Sequence, residues 1–134
     1  MNTLLKWHNR IFTNIKNYVS GVCPNVVRSL STATPSDYPA TVIQLISGLA
    51  ESDLEINDLG AEIAYQADVY AIGTNRITDG VKIMDLVIEA FAKMGFATVK
   101  FSEQPMLDNP SVYRLTSRFK RFVGSGDDIE KIEQ

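Results

Sequence analysis

Between Glu62 and Ala71 the chain alternates with a period of two. Ile63, Tyr65, Ala67, Val69 and Ala71 fall on one side of an extended backbone, and Glu62, Ala64, Gln66, Asp68 and Tyr70 on the other. A helix would scatter these residues around its circumference, so the segment is a half-buried strand whose apolar side needs a cover. Two helical patterns can supply it. Leu4, Ile11, Phe12, Ile15 and Val19 recur at three- and four-residue steps from Asn2 to Val19, leaving Lys6, Arg10 and Lys16 for solvent. Val81, Met84, Val87, Ile88, Phe91 and Met94 do the same after a turn at residues 73–75. Thr78 or Asp79 is the expected cap of this second helix, and Gly95 its expected left-handed terminator.

Three other segments are predicted strands. Residues 41–46 form a β-branched and apolar run between Pro39 and Gly48. Residues 96–101 and 112–123 follow the second helix, joined by a turn-rich stretch with Pro105, Asp108, Asn109 and Pro110. Gly21 and Pro24 stop the first helix, and residues 29–38, rich in Ser, Thr and Pro, read as a long irregular connection and a candidate partner contact. Residues 50–60, with Glu51, Asp53, Glu55 and Asp58, read as an exposed loop between two antiparallel strands. The order helix, strand, strand, helix, strand, strand predicts an α+β fold, an antiparallel four-stranded sheet with two helices packed on one face.

Length and charge bound what such a fold does. A chain of 134 residues that is 45% hydrophobic has enough apolar mass for one core, which places a single domain over residues 1–123. Residues 124–134 carry Asp127, Asp128, Glu130 and Glu133 against Lys131, an acidic and flexible tail that accounts for the whole net charge of -3. The domain itself is balanced at 12 basic and 12 acidic side chains, unlike the basic footprint of a dedicated nucleic-acid binder. No run approaches the roughly 20 apolar residues of a bilayer span, and no secretory signal pattern opens the chain, so a cytoplasmic site of synthesis and no membrane partner are expected. Cys23 is the lone cysteine, which excludes an internal disulfide and a cysteine-rich zinc cluster.

Catalytic chemistry finds little support. The single histidine, His8, lies beside the apolar side of the first helix, where a packed imidazole is the expectation, and no orienting group marks it as a partner for Cys23. Gly73 to Lys82 sits between a strand and a helix, as phosphate loops do, but six residues separate Gly73 from Gly80 and no hydroxyl residue follows Lys82. Asp53, Glu55, Asn57, Asp58 and Glu62 lack the early glycine of a calcium loop. No catalytic residue, metal ligand or cofactor is therefore expected, and the chain is expected not to be an enzyme.

One strand has a chemically two-sided pattern. Arg114, Thr116, Arg118 and Lys120 share one face of the last strand, while Tyr113, Leu115, Ser117 and Phe119 share the other and Arg121 falls on the latter side. Arg114, Arg118 and Lys120 thus form a candidate basic strand face, suited to DNA, a tube lumen or an acidic neighbour, or simply to water.

Tyr38-Pro39 before a strand, Gln66 to Tyr70 within one, a helix ending in Met94-Gly95-Phe96, then Val112-Tyr113-Arg114 and Arg118-Phe119 resemble the small tail terminator and tail-completion proteins of tailed phages and prophages. The resemblance spans residues 38–123. It implies a virion protein without catalysis, made in the host bacterial cytoplasm, that assembles as a hexameric ring on the head-proximal end of the tail tube. Its implied partners are other copies of itself, the tail tube protein, a head-completion or connector protein, and DNA passing transiently through the ring. Asp68, Tyr70, Tyr113 and Arg114 are the matched positions expected at subunit or tube contacts. A head-tail connector or stopper subunit would share this profile. A nucleic-acid module stacking bases on strand aromatics is a reading from another class, against which Tyr70 and Phe101 lack a basic surround.

Overall fold

A computed structural model describes residues 2–30, 35, 37–47, 61–107 and 109–123. The elements are α1 (Asn2–Val19), β1 (Asn25–Val27), β2 (Ala40–Ser47), β3 (Ala61–Ala71), α2 (Arg76–Lys93), β4 (Ala97–Glu103) and β5 (Tyr113–Val123). The strands form one sheet in the order β1-β2-β3-β5-β4. This corrects the predicted four-stranded antiparallel sheet: there are five strands, and β1 runs parallel to β2, Asn25 opposite Ala40 and Val27 opposite Val42. A strand of three residues is too short to display a period. A parallel pair also needs a crossover of about a dozen residues, and residues 28–39 stand between the two strands in sequence; of the irregular connection expected at residues 29–38, residues 31–34 and 36 lie outside the described residues. The loop expected at residues 50–60 and the acidic tail at 124–134 lie outside the described residues.

The alternation in β3 places Ile63, Tyr65, Ala67 and Val69, all fully buried, under both helices. From α1 come Ile11, Phe12, Ile15 and Val19, and from α2 come Ile83, Met84, Val87, Ala90 and Phe91, in one continuous cluster with Leu115 and Phe119 of β5. Phe91 stacks on Phe119 with ring centroids 4.1 Å apart, and Phe96 meets Phe91 edge-on at 5.1 Å. Each such ring or aliphatic chain contributes roughly 1.5–3 kcal/mol by leaving water. Polarity enters this core beside α1. The Tyr65 hydroxyl, fully buried, shares a 2.8 Å hydrogen bond with Nδ1 of His8. Burial holds the phenol well above the ordinary tyrosine range and holds the imidazole below its usual 6.5, with the nearby Arg28 charge adding to the latter effect.

The second helix begins earlier than its sequence suggests. Asn75 is its N-cap residue, without a side-chain capping bond, and Thr78 and Asp79 lie inside the first turns rather than at the cap. Its end follows the expectation. Gly95 has φ +88, and the amides of Gly95 and Phe96 donate to the carbonyls of Ala92 and Phe91, each at 2.9 Å, closing the last turn with the two bonds of a Schellman motif. Gly80, which sequence placed in a failed phosphate loop, is a close-approach residue. A Cβ there would sit 2.8 Å from Cδ2 of Tyr113, so α2 lies against β5 closer than any side chain allows.

Two outcomes follow from this packing. Gly80→Ala should lower stability by about 1–3 kcal/mol in urea titration, the usual cost of overpacking, and Tyr113→Leu in the same chain should recover part of it. His8 is the second case. In the unfolded chain it takes up a proton near pH 6.5, while in the folded chain it resists, so its stabilising contribution is intact above that pH and falls as pH drops toward the depressed folded value. The urea midpoint of wild type should therefore fall more between pH 7.5 and 5.5 than that of His8→Gln.

Candidate assembly surface

The face of the sheet away from the helices is built by the even-numbered residues of β3 and their partners across β5. Register sets Glu62 opposite Phe122, Ala64 opposite Lys120, Gln66 opposite Arg118, Asp68 opposite Thr116 and Tyr70 opposite Arg114. Lys100 of β4 stands beside Arg118 and joins the same face. Arg114, Arg118 and Lys120 are all here.

Their charges are partly committed within the chain. Arg114 donates from Nε and Nη2 to Oδ1 of Asp68 at 3.2 and 3.1 Å, and the Thr116 hydroxyl donates to the same oxygen. Gln66 Nε2 donates to Oδ2 of Asp68 at 3.0 Å, and Arg118 Nε donates to Oε1 of Gln66 at 2.9 Å. Asp68 is only 4% exposed, so its carboxylate is stable there because four donated bonds from three side chains replace water. Lys120 meets Glu62 at 3.5 Å with both side chains about half exposed, a pair worth less because solvent screens it. The result is a ladder, Arg118 to Gln66 to Asp68 to Arg114, that fixes the rotamers of a polar face.

The four matched positions separate in space. Asp68, Tyr70 and Arg114 come together, the Arg114 guanidinium lying 5.5 Å from the Tyr70 ring centre. Tyr70 is buried there, in a second small apolar cluster with Val42 and Val112, against which Leu30, Tyr38 and Met106 pack. Tyr113 lies on the helix-covered face, where its hydroxyl donates to Glu103 at 2.6 Å; burial and that carboxylate push the phenol up to about 12. Sequence reasoning missed Lys100 and the Gln66 link. The i, i+2 spacing of Gln66 and Asp68 was a usable signal for the link, whereas Lys100 depends on a β4 register that only the fold supplies.

The features weighed for catalysis are dispersed. His8 bonds to Tyr65, while Cys23 is buried with its thiol 3.3 Å from the Thr41 hydroxyl, and burial pushes that thiol up. Among the described residues no group of three or more His, Cys, Asp or Glu is placed to hold a metal ion. The acids at residues 53–58 lie outside the described residues. Among the described residues no helix is long and apolar enough to cross a membrane.

No protein-family model matches the chain, and no curated protein matches it. Solved structures do: 15 chains match. One is a chain in the virion of a native gene transfer agent particle, with a TM-score of 0.55 over 86% of this chain and 92% of that chain at 12% identity. At that identity the likeness establishes a shared fold along nearly the whole of both chains.

Asp68 is the test of this face. Asp68→Ala removes the shared acceptor and leaves Arg114 and Thr116 facing each other, so a loss of about 3 kcal/mol is expected in urea unfolding. A double-mutant cycle with Arg114→Met should return a coupling of about 1–3 kcal/mol.

Proposed function

We propose that this chain is a structural, non-enzymatic virion subunit, a tail terminator that forms a ring on the head-proximal end of a phage tail tube. In that role it stops tube growth and offers its other surface to a head-completion or connector protein. The observation that carries the reading is the match to a virion chain over most of both lengths. The neighbour belongs to the virion of a gene transfer agent particle, and a virion protein is also what the tail-protein resemblance of residues 38–123 implies.

The physical properties support it. A domain with balanced charge does not repel its own copies strongly, and a head-to-tail contact with a closing rotation produces rings, six subunits being the expected number. The open face presents Lys100, Arg118 and Lys120 as a mildly basic surface suited to a lumen that DNA crosses briefly. No step of this function asks for a cofactor or a bond-making residue.

The test is the solution mass across concentration by light scattering, followed by negative-stain imaging with isolated tail tubes. A ring in solution, or one that appears on tube ends and halts their elongation, is the expected result. A chain that stays single and ignores tubes overturns the proposal, and binding to DNA-filled heads in place of tubes reassigns it to a connector or stopper.

A further inference from the structure

The sheet is unfinished at both sides, and the two unfinished stretches lie at the same height. On one side, β1 pairs with β2 only through Asn25–Val27 against residues 40–42, so among the described residues nothing covers the outer edge of β2 at residues 43–47. On the other, β4 pairs with β5 alone, and its outer edge is open along its length among the described residues. Following rows across the sheet, Phe101 aligns through Ser117 and Ala67 with Ile43, and Lys100 aligns through Arg118 and Gln66 with Gln44. Thr98 aligns through Phe119 and Tyr65 with Leu45, and Ala97 through Lys120 and Ala64 with Ser47. The next row, Ser102 to Val42, is where β1 takes over.

We propose that copies of this chain join edge to edge, residues 97–101 of β4 in one copy pairing with residues 43–47 of β2 in the next, so that one sheet continues around the assembly. This deepens the ring reading and rests on it. Three antiparallel steps separate β2 from β4, so the two strands point in opposite directions. A neighbour generated by rotation about an axis roughly along the strands, without rise, therefore brings its β2 beside β4 in antiparallel sense and in the same rows. That sense is the more stable pairing, and the contact is heterologous, as a ring needs.

The side chains agree with a second copy as the occupant. Residues 43–47 carry no charge, so Lys100 meets Gln44 without a like-charge conflict. Every residue of β4 is exposed except Ser102, including Val99 at 57% and Phe101 at 51%, an apolar content that natural edges otherwise avoid. Each edge also has an irregularity in nearly the same place, between Leu45 and Ser47 and between Thr98 and Lys100, leaving Ile46 and Val99 as the extra residues. Bulges discourage pairing with flat foreign strands. Matched bulges in neighbouring rows favour this chain's own opposite edge.

Cysteine cross-linking tests the row directly, since opposed residues on an antiparallel pair lie within disulfide reach. In the full chain carrying both Lys100→Cys and Gln44→Cys, mild oxidation of the assembled protein should give a ladder of covalent multimers. Either substitution alone should give none, and a mixture of the two single variants only dimers. Native Cys23 is buried and should not contribute. In wild type, amide exchange at residues 43–47 and 97–101 should slow on assembly, a readout that needs no variant. Assembled protein that yields no ladder and no slowing sinks the edge pairing while leaving the ring intact. Covalent dimers from Lys100→Cys alone overturn it in favour of a two-fold β4 contact. Wild type that stays single in solution and on tube ends removes both the ring and this pairing, whereas a ladder from rings that ignore tubes keeps the pairing and removes the terminator role.

Discussion

The antiparallel pairing of β3 with β5, unbroken from Ala61 opposite Val123 to Ala71 opposite Tyr113, is the constraint from which the rest of the molecule is hung. It is long enough to set two surfaces at once. On one side it aligns Tyr65 with Phe119 and Val69 with Leu115 as the floor of the core; on the other it aligns Asp68 with Thr116 and Tyr70 with Arg114. A slip of one residue would send Asp68 under the helices and Val69 into the polar ladder, so hydrophobic burial and the carboxylate network enforce the same register.

The central strands are therefore sealed on one face by helices and on the other partly by hydrogen bonds. Asp68 accepts from Arg114, Thr116 and Gln66, and the small cluster around Tyr70 closes one end of that face. Arg118 stays accessible while its Nε is held by Gln66, and a side chain so held loses little rotamer freedom when another molecule settles on it.

Much of this was legible in the residues. The helical spacing over Asn2–Val19 and the alternation over Ala61–Ala71 each extend across several turns or repeats, so their faces are over-determined. Gly95 was legible because few residues other than glycine accept its backbone angle. β1 was not, since three residues carry no period and their partner is parallel and distant along the chain. The opening of α2 misled because Thr78 and Asp79 are good capping residues, while Asn75, at the true boundary, makes no side-chain capping bond. At the candidate surface, strand parity correctly separated Arg114 from Tyr113, but parity does not reveal what a charge touches. The partners Asp68, Gln66 and Glu62 emerge only once β3 is known to lie beside β5.

Gly80 bears on how the second helix and the outer strands are joined. Because α2 rests directly on the Tyr113 ring, and that tyrosine is tied through its hydroxyl to Glu103 on β4, the helix and the β4–β5 hairpin are coupled by contact rather than by the loop between them. The outer strand is thereby linked through Tyr113 to the helix, and through the helix to the core. The missing methyl group at residue 80 is thus what lets the helix bear on the Tyr113 ring at all.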